Sequence, residues 1–284
     1  LSDGQLVVDS STDGLVRLVL DGASITSSTG AAIAVVQADD TVIWLADGTQ
    51  NVLVDAAEYV FPDTEEDEPN ATLFSKDDLT IAGSGELSVT AKYNDGIASK
   101  DGLVIADGVI TLTAADDGIR GKDYLVISGG SIRVDASGDA LTSAVESDPS
   151  LGYGRSTGGS LDLTSGTDAI EAVTAVIIED GDIALAAGDD GIHSEAWLEI
   201  SGGTTDITRS YEGLEGGQIV ISGGDIRVVS ADDGPNVPDG SGAAQAGGGR
   251  GARGGGPGGG FETPIEGLFV EVTGGTLVID ADGD

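Results

Sequence analysis

Cysteine and methionine are absent from these 284 residues, and histidine occurs once, at His193. Zinc, haem and iron–sulfur centres therefore lack a ligand set, which leaves hard cations held by oxygen as the metals to consider. The missing cysteine leaves the redox compartment open. Aromatic residues make up only 4%, and 12 basic residues stand against 50 acidic ones, a formal charge of −38. Such a charge repels nucleic acid and anionic membranes and attracts cations. The same composition would also suit a high-salt proteome. No apolar run reaches the length that spans a bilayer, so no membrane insertion is expected. What is plentiful is glycine, with 47 residues, and apolar side chains, at 39%. The strict patterning of those apolar residues argues for a folded body rather than a disordered acidic chain.

That patterning is a repeat. Between residues 94 and 234 a short acidic phrase returns as N94-D-G-I, D116-D-G-I, G138-D-A-L, T167-D-A-I, D189-D-G-I, Y211-E-G-L and D232-D-G-P. Its carboxylates, Asp95, Asp117, Asp139, Asp168, Asp190, Glu212 and Asp233, are separated by steps of 22, 22, 29, 22, 22 and 21 residues. Self-similarity at this period marks a solenoid. The segments between glycine-rich corners alternate apolar and polar residues and are too short for helices, which predicts an all-β, parallel β-helix with one coil of about 22 residues per repeat. Alternation points Leu103 and Ile105, Leu125 and Ile127, Val176 and Ile178, Leu198 and Ile200, Ile219 and Ile221, and Val270 and Val272 inward. Glycine pairs such as Gly129 with Gly130 supply the corners.

The whole chain, 1–284, reads as one β-helix domain. Residues 1–70 are its least regular part and are expected to form the first coils and cap one end; 71–234 are the regular coils. Residues 235–263 contain the glycine-rich stretch with Arg250 and Arg253 and read as an inserted loop, with a last coil over 264–284. The acidic run around Pro62 to Asn70 reads as a solvated loop. A seven-residue insertion in the Asp139 repeat, over D148-P-S-L-G-Y-G-R-S-T, reads as a second loop, and it puts Gly154 and Ser156 where other coils carry apolar residues. The chain opens at Leu1 and stops with a further coil beginning, so it is expected to be part of a longer protein.

Stacked coils lie about 4.8 Å apart, so the seven carboxylates form a vertical ladder. Neighbouring charges at such a spacing repel by a few kcal/mol at an effective dielectric of about 20. Either their pKa values rise or cations sit among them. Calcium fits the second outcome, because it takes six to eight oxygens in loose geometry. The doubled acids, Asp116 with Asp117, Asp189 with Asp190, and Asp232 with Asp233, are the preferred calcium sites. The alternative for each acid is a turn role, its side chain bonding nearby backbone N–H groups. Lys76, Lys100 and Lys122 recur at steps of 24 and 22 and form a basic row. That row is either self-neutralised by neighbouring aspartates or a track for a polymer bearing carboxylates or hydroxyls. Tyr124, Trp197 and Trp44 should face outward, where aromatic faces can stack on sugar rings. His193 reads as an ordinary surface residue.

The phrases D77-D-L-T-I-A-G-S-G, Y93-N-D-G-I-A-S-K-D, D116-D-G-I-R-G-K-D and S210-Y-E-G-L-E-G, with R17-L-V-L-D-G-A-S-I-T and E68-P-N-A-T-L-F-S-K-D-D-L upstream, resemble the bacterial carbohydrate-binding domain proteins that have a polysaccharide-lyase-like, right-handed β-helix. The resemblance covers most of the chain outside the two loops. It implies an extracellular or cell-surface protein that binds calcium and plant-type polysaccharides, with cellulose and acidic pectin as candidates; a lyase-like fold does not imply lyase activity. The expected function is thus non-catalytic carbohydrate binding. Two alternatives stay open: a calcium-dependent uronate lyase using Lys100, Lys122 or Arg120 as base, and a subunit that stacks end to end into an extracellular fibre.

Overall fold

The computed structural model describes residues 1–61, 67–238 and 267–283; the glycine-rich stretch with Arg250 and Arg253 and the centre of the acidic run near Pro62 lie outside them. Among the described residues there are 26 strands and no helix. Every strand pairing among them is parallel. Each repeat supplies three strand segments, and each segment pairs with its counterpart one repeat further on. Three ladders result. Leu103 faces Leu125 in the second and Ile110 faces Ile132 in the third, the offset of 22 residues read from the sequence.

Residues 1–54 follow the same plan. Leu6–Asp9, Leu15–Leu20 and Ser24–Thr26 pair in parallel with Ile33–Gln37, Asp40–Leu45 and Gln50–Val54. Their irregularity lies in the lengths of the connections and not in the pairing. The insertion after Asp139 is shorter than the sequence suggests: strand Tyr153–Thr164 begins at Tyr153, so Arg155 and Ser156 are ladder residues rather than loop. At the other boundary, Pro235–Asn236 continue the first ladder against Leu214 and Glu215. Any loop there begins beyond Asn236.

The core is the stack of inward apolar residues from all three ladders, including Leu103, Ile105, Leu125, Ile127, Val176, Ile178, Leu198, Ile200, Ile219 and Ile221, each at most 3% exposed. Each such side chain contributes about 1.5–3 kcal/mol on burial, which offsets the repulsion of the acidic surface. Val270 and Val272 depart from expectation at 43 and 52% exposed, and Ile279 on the neighbouring strand is 43% exposed. They belong to the last described repeat, and no further repeat among the described residues covers their side of the core.

The paired glycines at the corners have two different jobs. Gly203 and Gly224 take positive φ of 75° and 87°, as a tight corner demands. Their predecessors Gly202 and Gly223 do not; a Cβ there would strike the carbonyl oxygens of Glu179 and Ser201 in the preceding repeat. Gly154 and Ser156 fall opposite Leu125 and Ile127 on one side and Val176 and Ile178 on the other. Their small side chains leave a void of ≈ 20 Å³ inside the core.

Candidate functional site: the acidic ladder

The first ladder brings the seven carboxylates into line. Ile97, Ile119, Leu141, Ile170, Ile192, Leu214 and Pro235 are successive partners, and each acid sits two residues before its member of that row. Backbone bonds fix the turn: the Gly96 N–H donates to Asp117 O at 2.9 Å, Gly118 to Asp139 O at 2.8 Å and Gly191 to Glu212 O at 2.9 Å. The side chains add a second set of braces. Asp117 Oδ1 accepts the Asp139 N–H at 3.1 Å, Asp139 Oδ1 that of Asp168 at 3.0 Å, Asp168 Oδ1 that of Asp190 at 2.8 Å, and Asp190 Oδ1 that of Glu212 at 3.3 Å. In these four acids one carboxylate oxygen is thus spent on the fold, which is the turn role weighed above, reaching across repeats. The other oxygen decides the chemistry.

A second row flanks the acids, three residues after each one from Asp117 to Asp233. Arg120, Thr142, Glu171, His193, Glu215 and Asn236 are successive ladder partners. Arg120 lies 3.2 Å from Asp95 and 3.8 Å from Asp117. Thr142 donates to Glu171 at 3.3 Å, His193 Nδ1 lies 3.3 Å from Asp168 Oδ2, and Asn236 donates to Glu212 at 2.6 Å. His193 is therefore no bystander: its side chain is only 26% exposed and part of the ladder. Glu171 and Glu215 were not singled out in the sequence either. The available signal was a polar residue three positions after each acid in six successive repeats. In a flat strand, positions i and i+3 face opposite sides. The bend at the intervening glycine or alanine reverses that parity and brings both to one side.

Crowding shows in the protonation of these groups. Burial drives Asp95 up to about 7, against the pull of Arg120, and burial with the neighbouring Asp139 drives Asp117 to about 6. Glu171, Asp190 and Glu215 are also raised, first by burial and then by the carboxyl groups they touch. Contact with Asp168 lifts His193 to about 9, overcoming its own burial. Two sets of ligand atoms converge within 4.8 Å: Asp168, Glu171 and His193 in one, and Asp190, Glu212 and Glu215 in the next. Both combine ladder acids with the flanking row. The doubled positions contribute only Asp190 to them, because Asp116 and Asp189 face solvent. Asp232 and Asp233 lie at the end of the ladder, half-buried.

The remaining sequence-selected residues lie elsewhere. Lys76, Lys100 and Lys122 do align, each following a paired ladder position, but Glu68 lies 3.7 Å from Lys76 and 2.6 Å from Lys100. Much of that row is neutralised, by a glutamate more than thirty residues before Lys100 in the case of its closest contact. Trp44 is outward and 38% exposed, with the Arg17 guanidinium 4.4 Å from its ring centre. Tyr124 and Trp197 lie half-buried on the outward side of the second ladder, in one row with Tyr153.

Residues 1–234 match the family model described as carbohydrate-binding domain-containing protein. This chain belongs to that family. Within it, a carbohydrate-binding domain-containing protein of Acetivibrio thermocellus is 45% identical over 202 residues, 71% of either chain. A solved polysaccharide lyase-like protein from C. thermocellum, described as a gadolinium derivative, superposes with a TM-score of 0.68 at 38% identity, covering 69% of this chain and 79% of its own. The matched span of this carbohydrate-binding domain takes in the entire acidic ladder from Asp95 to Asp233. An all-β, parallel-stranded body like that of the lyase-like relative is the scaffold on which the ladder is mounted.

Proposed function

We propose that this carbohydrate-binding domain is a non-catalytic, calcium-stabilised, extracellular module built as a right-handed parallel β-helix, and that it binds plant-type polysaccharides such as cellulose and acidic pectin. The observation that carries the calcium reading is the convergence of Asp190, Glu212 and Glu215. This is an all-oxygen donor set, the kind a hard cation takes. Asp190 and Glu215 hold protons above the ordinary carboxylate range because of burial and mutual contact, so a cation there replaces a proton and relieves the repulsion that retained it. The adjoining set with Asp168 and Glu171 fits calcium less well, since His193 remains protonated and paired to Asp168 at neutral pH. Gadolinium(III), named for the lyase-like relative, is likewise a hard, oxygen-seeking ion. Acidic pectin would be met by calcium and by Lys122, the exposed member of the lysine row that does not pair with Glu68.

The geometry of the bases supports a binding role over lysis. A lyase needs a base that gives up its proton to the solvent and then takes the substrate's. Arg120 is held between two carboxylates, and Lys100 lies 2.6 Å from Glu68, so both side chains are already engaged in ion pairs within the protein. The calcium test is a thermal melt at pH 8 in EDTA and in millimolar calcium. Calcium at a hundredfold excess over Kd should stabilise by about 2.7 kcal/mol, with magnesium less effective; superimposed melts would remove calcium from the proposal. An array of polysaccharides with and without calcium tests binding, and unsaturated product from polygalacturonate would overturn the non-catalytic reading.

A further inference from the structure

The outward row of the second ladder runs Gly102, Tyr124, Tyr153, Ala175, Trp197 in successive repeats. Tyr124 lies back over Gly102, where any Cβ would collide with its ring. Tyr153 stacks on Tyr124 with centroids 5.6 Å apart and planes 16° from parallel. Ala175 then interrupts the aromatic row. Tyr153 and Trp197 are two repeats apart, a span of about 10 Å, and an open depression of ≈ 440 Å³ is lined by Tyr153, by Ala175 and by Glu199 from the repeat of Trp197. Ala175 and Ile177 line it, as do Pro149 and Ser150 from the insertion that lengthens this one repeat.

We infer that this depression is a subsite for a neutral, extended polysaccharide chain running along the aromatic row. The inference rests on the carbohydrate-binding reading above and assigns that reading a place and a substrate class. A sugar ring has an apolar face, which Tyr153 can stack against, and a rim of hydroxyls, which need acceptors and donors at the edge of the contact. The depression supplies both. Glu179 and Glu199 line it, Glu199 accepting the Trp197 indole N–H at 3.2 Å, and the hydroxyl-bearing Thr174 and Ser150 lie alongside. Charge selects the polymer. Arg155 is the one basic residue lining the depression, and it is bonded to both oxygens of Glu179 at 2.7 and 2.9 Å. What remains is the negative charge of Glu199, which repels a uronate and accepts hydrogen bonds from a neutral glycan. The volume lies within the usual range for small-ligand sites, roughly 300–1,000 Å³, and the repeat spacing suits an extended β-linked chain that advances about one sugar per rung.

The test uses the full chain, with cellohexaose as the neutral probe and polygalacturonate as the acidic one, both read by calorimetry. Tyr153→Ala should weaken cellohexaose binding on the order of tenfold, the scale of one lost aromatic contact. Ala175→Arg, which fills the depression from a half-buried outward position, should do the same or more. Val109→Ala, at an exposed position of the third ladder, should leave it unchanged. The calcium-dependent melt should be as in the wild type for all three, which shows the variants to be folded, and polygalacturonate binding should be unchanged in Tyr153→Ala. Wild-type affinity for cellohexaose in both Tyr153→Ala and Ala175→Arg would overturn this location and leave carbohydrate binding standing. A wild-type protein that binds polygalacturonate alone would overturn the neutral substrate class, and one that binds no polysaccharide on the array would overturn the functional reading itself.

Discussion

The two ends of the acidic ladder share a backbone and differ in chemistry. At Asp95 and Asp117 the flanking row supplies Arg120, and a guanidinium sits between the two acids. From Asp168 to Glu212 the same row supplies Glu171, His193 and Glu215, so acids are added to acids and one histidine is the only compensation within those repeats. The first end is closed by the protein's own cation. The second sets carboxyl groups against one another with no guanidinium between them, and it is where an external cation has most to offer. One substitution pattern, three residues after an invariant turn, therefore converts a structural brace into a candidate binding site without any change in the fold.

Removing the internal cation should break this contrast most severely. Arg120→Ala leaves the fully buried Asp95 unpaired, and the loss of one partner from a buried pair costs about 3 kcal/mol. Urea unfolding should show that loss at pH 8 and less of it at pH 5, where Asp95 can take a proton. Equal losses at the two pH values would mean that Arg120 acts by packing rather than by charge.

Acidity provides the next test, in EDTA. Unfolded carboxylates ionise near 4, whereas Asp117 and Asp95 hold protons to about 6 and about 7, with Glu171, Asp190 and Glu215 raised as well. Between these limits the folded chain binds more protons than the unfolded one, so stability falls as pH rises. His193 works in the same direction: its stabilising charge is complete below its unfolded value of 6.5 and is lost as pH passes about 9. The unfolding midpoint should therefore be higher at pH 5 than at pH 8. Glu215→Gln should flatten that slope and reduce the gain from calcium, opposite in sign to Arg120→Ala at pH 8. A midpoint that rises with pH would contradict the crowding described here.

The smallest expected effect lies away from the ladder and serves as a reference for the others. Gly154 has ordinary φ, and a Cβ there would find its nearest neighbour at 3.8 Å, the Ala172 methyl. Gly154→Ala should stabilise by about 0.5–1 kcal/mol, through a less flexible unfolded chain and a partly filled void. The gain should be the same at pH 5 and pH 8. A dependence on pH would show that the core void and the ladder are coupled.

Much of this was legible in the chain before any coordinates. The period, the inward apolar pairs and the seven aligned acids all follow from local alternation and a constant step, and Tyr124 and Trp197 follow from their position seven residues after Asp117 and Asp190. Tyr153 escaped the same rule because the insertion moves it to fourteen residues after Asp139, although the ladder restores it to the row. Glu171, His193 and Glu215 escaped because the bend before each strand breaks the two-residue parity on which inward and outward assignments depend. Glu68 escaped because nothing in a sequence ties an acidic connection to Lys76 and Lys100 in other repeats.

By itself, the sequence determined the all-β repeat, its core and the existence of an acidic ladder, because these depend on periodicity, and periodicity is a property of neighbours along the chain. Only the tertiary structure decided which acids share a cation-sized space, which lysines are already neutralised and where the aromatic row opens into a depression. Those outcomes depend on distances between side chains in different repeats and across the bends between strands, where bends and insertions shift position without altering the period.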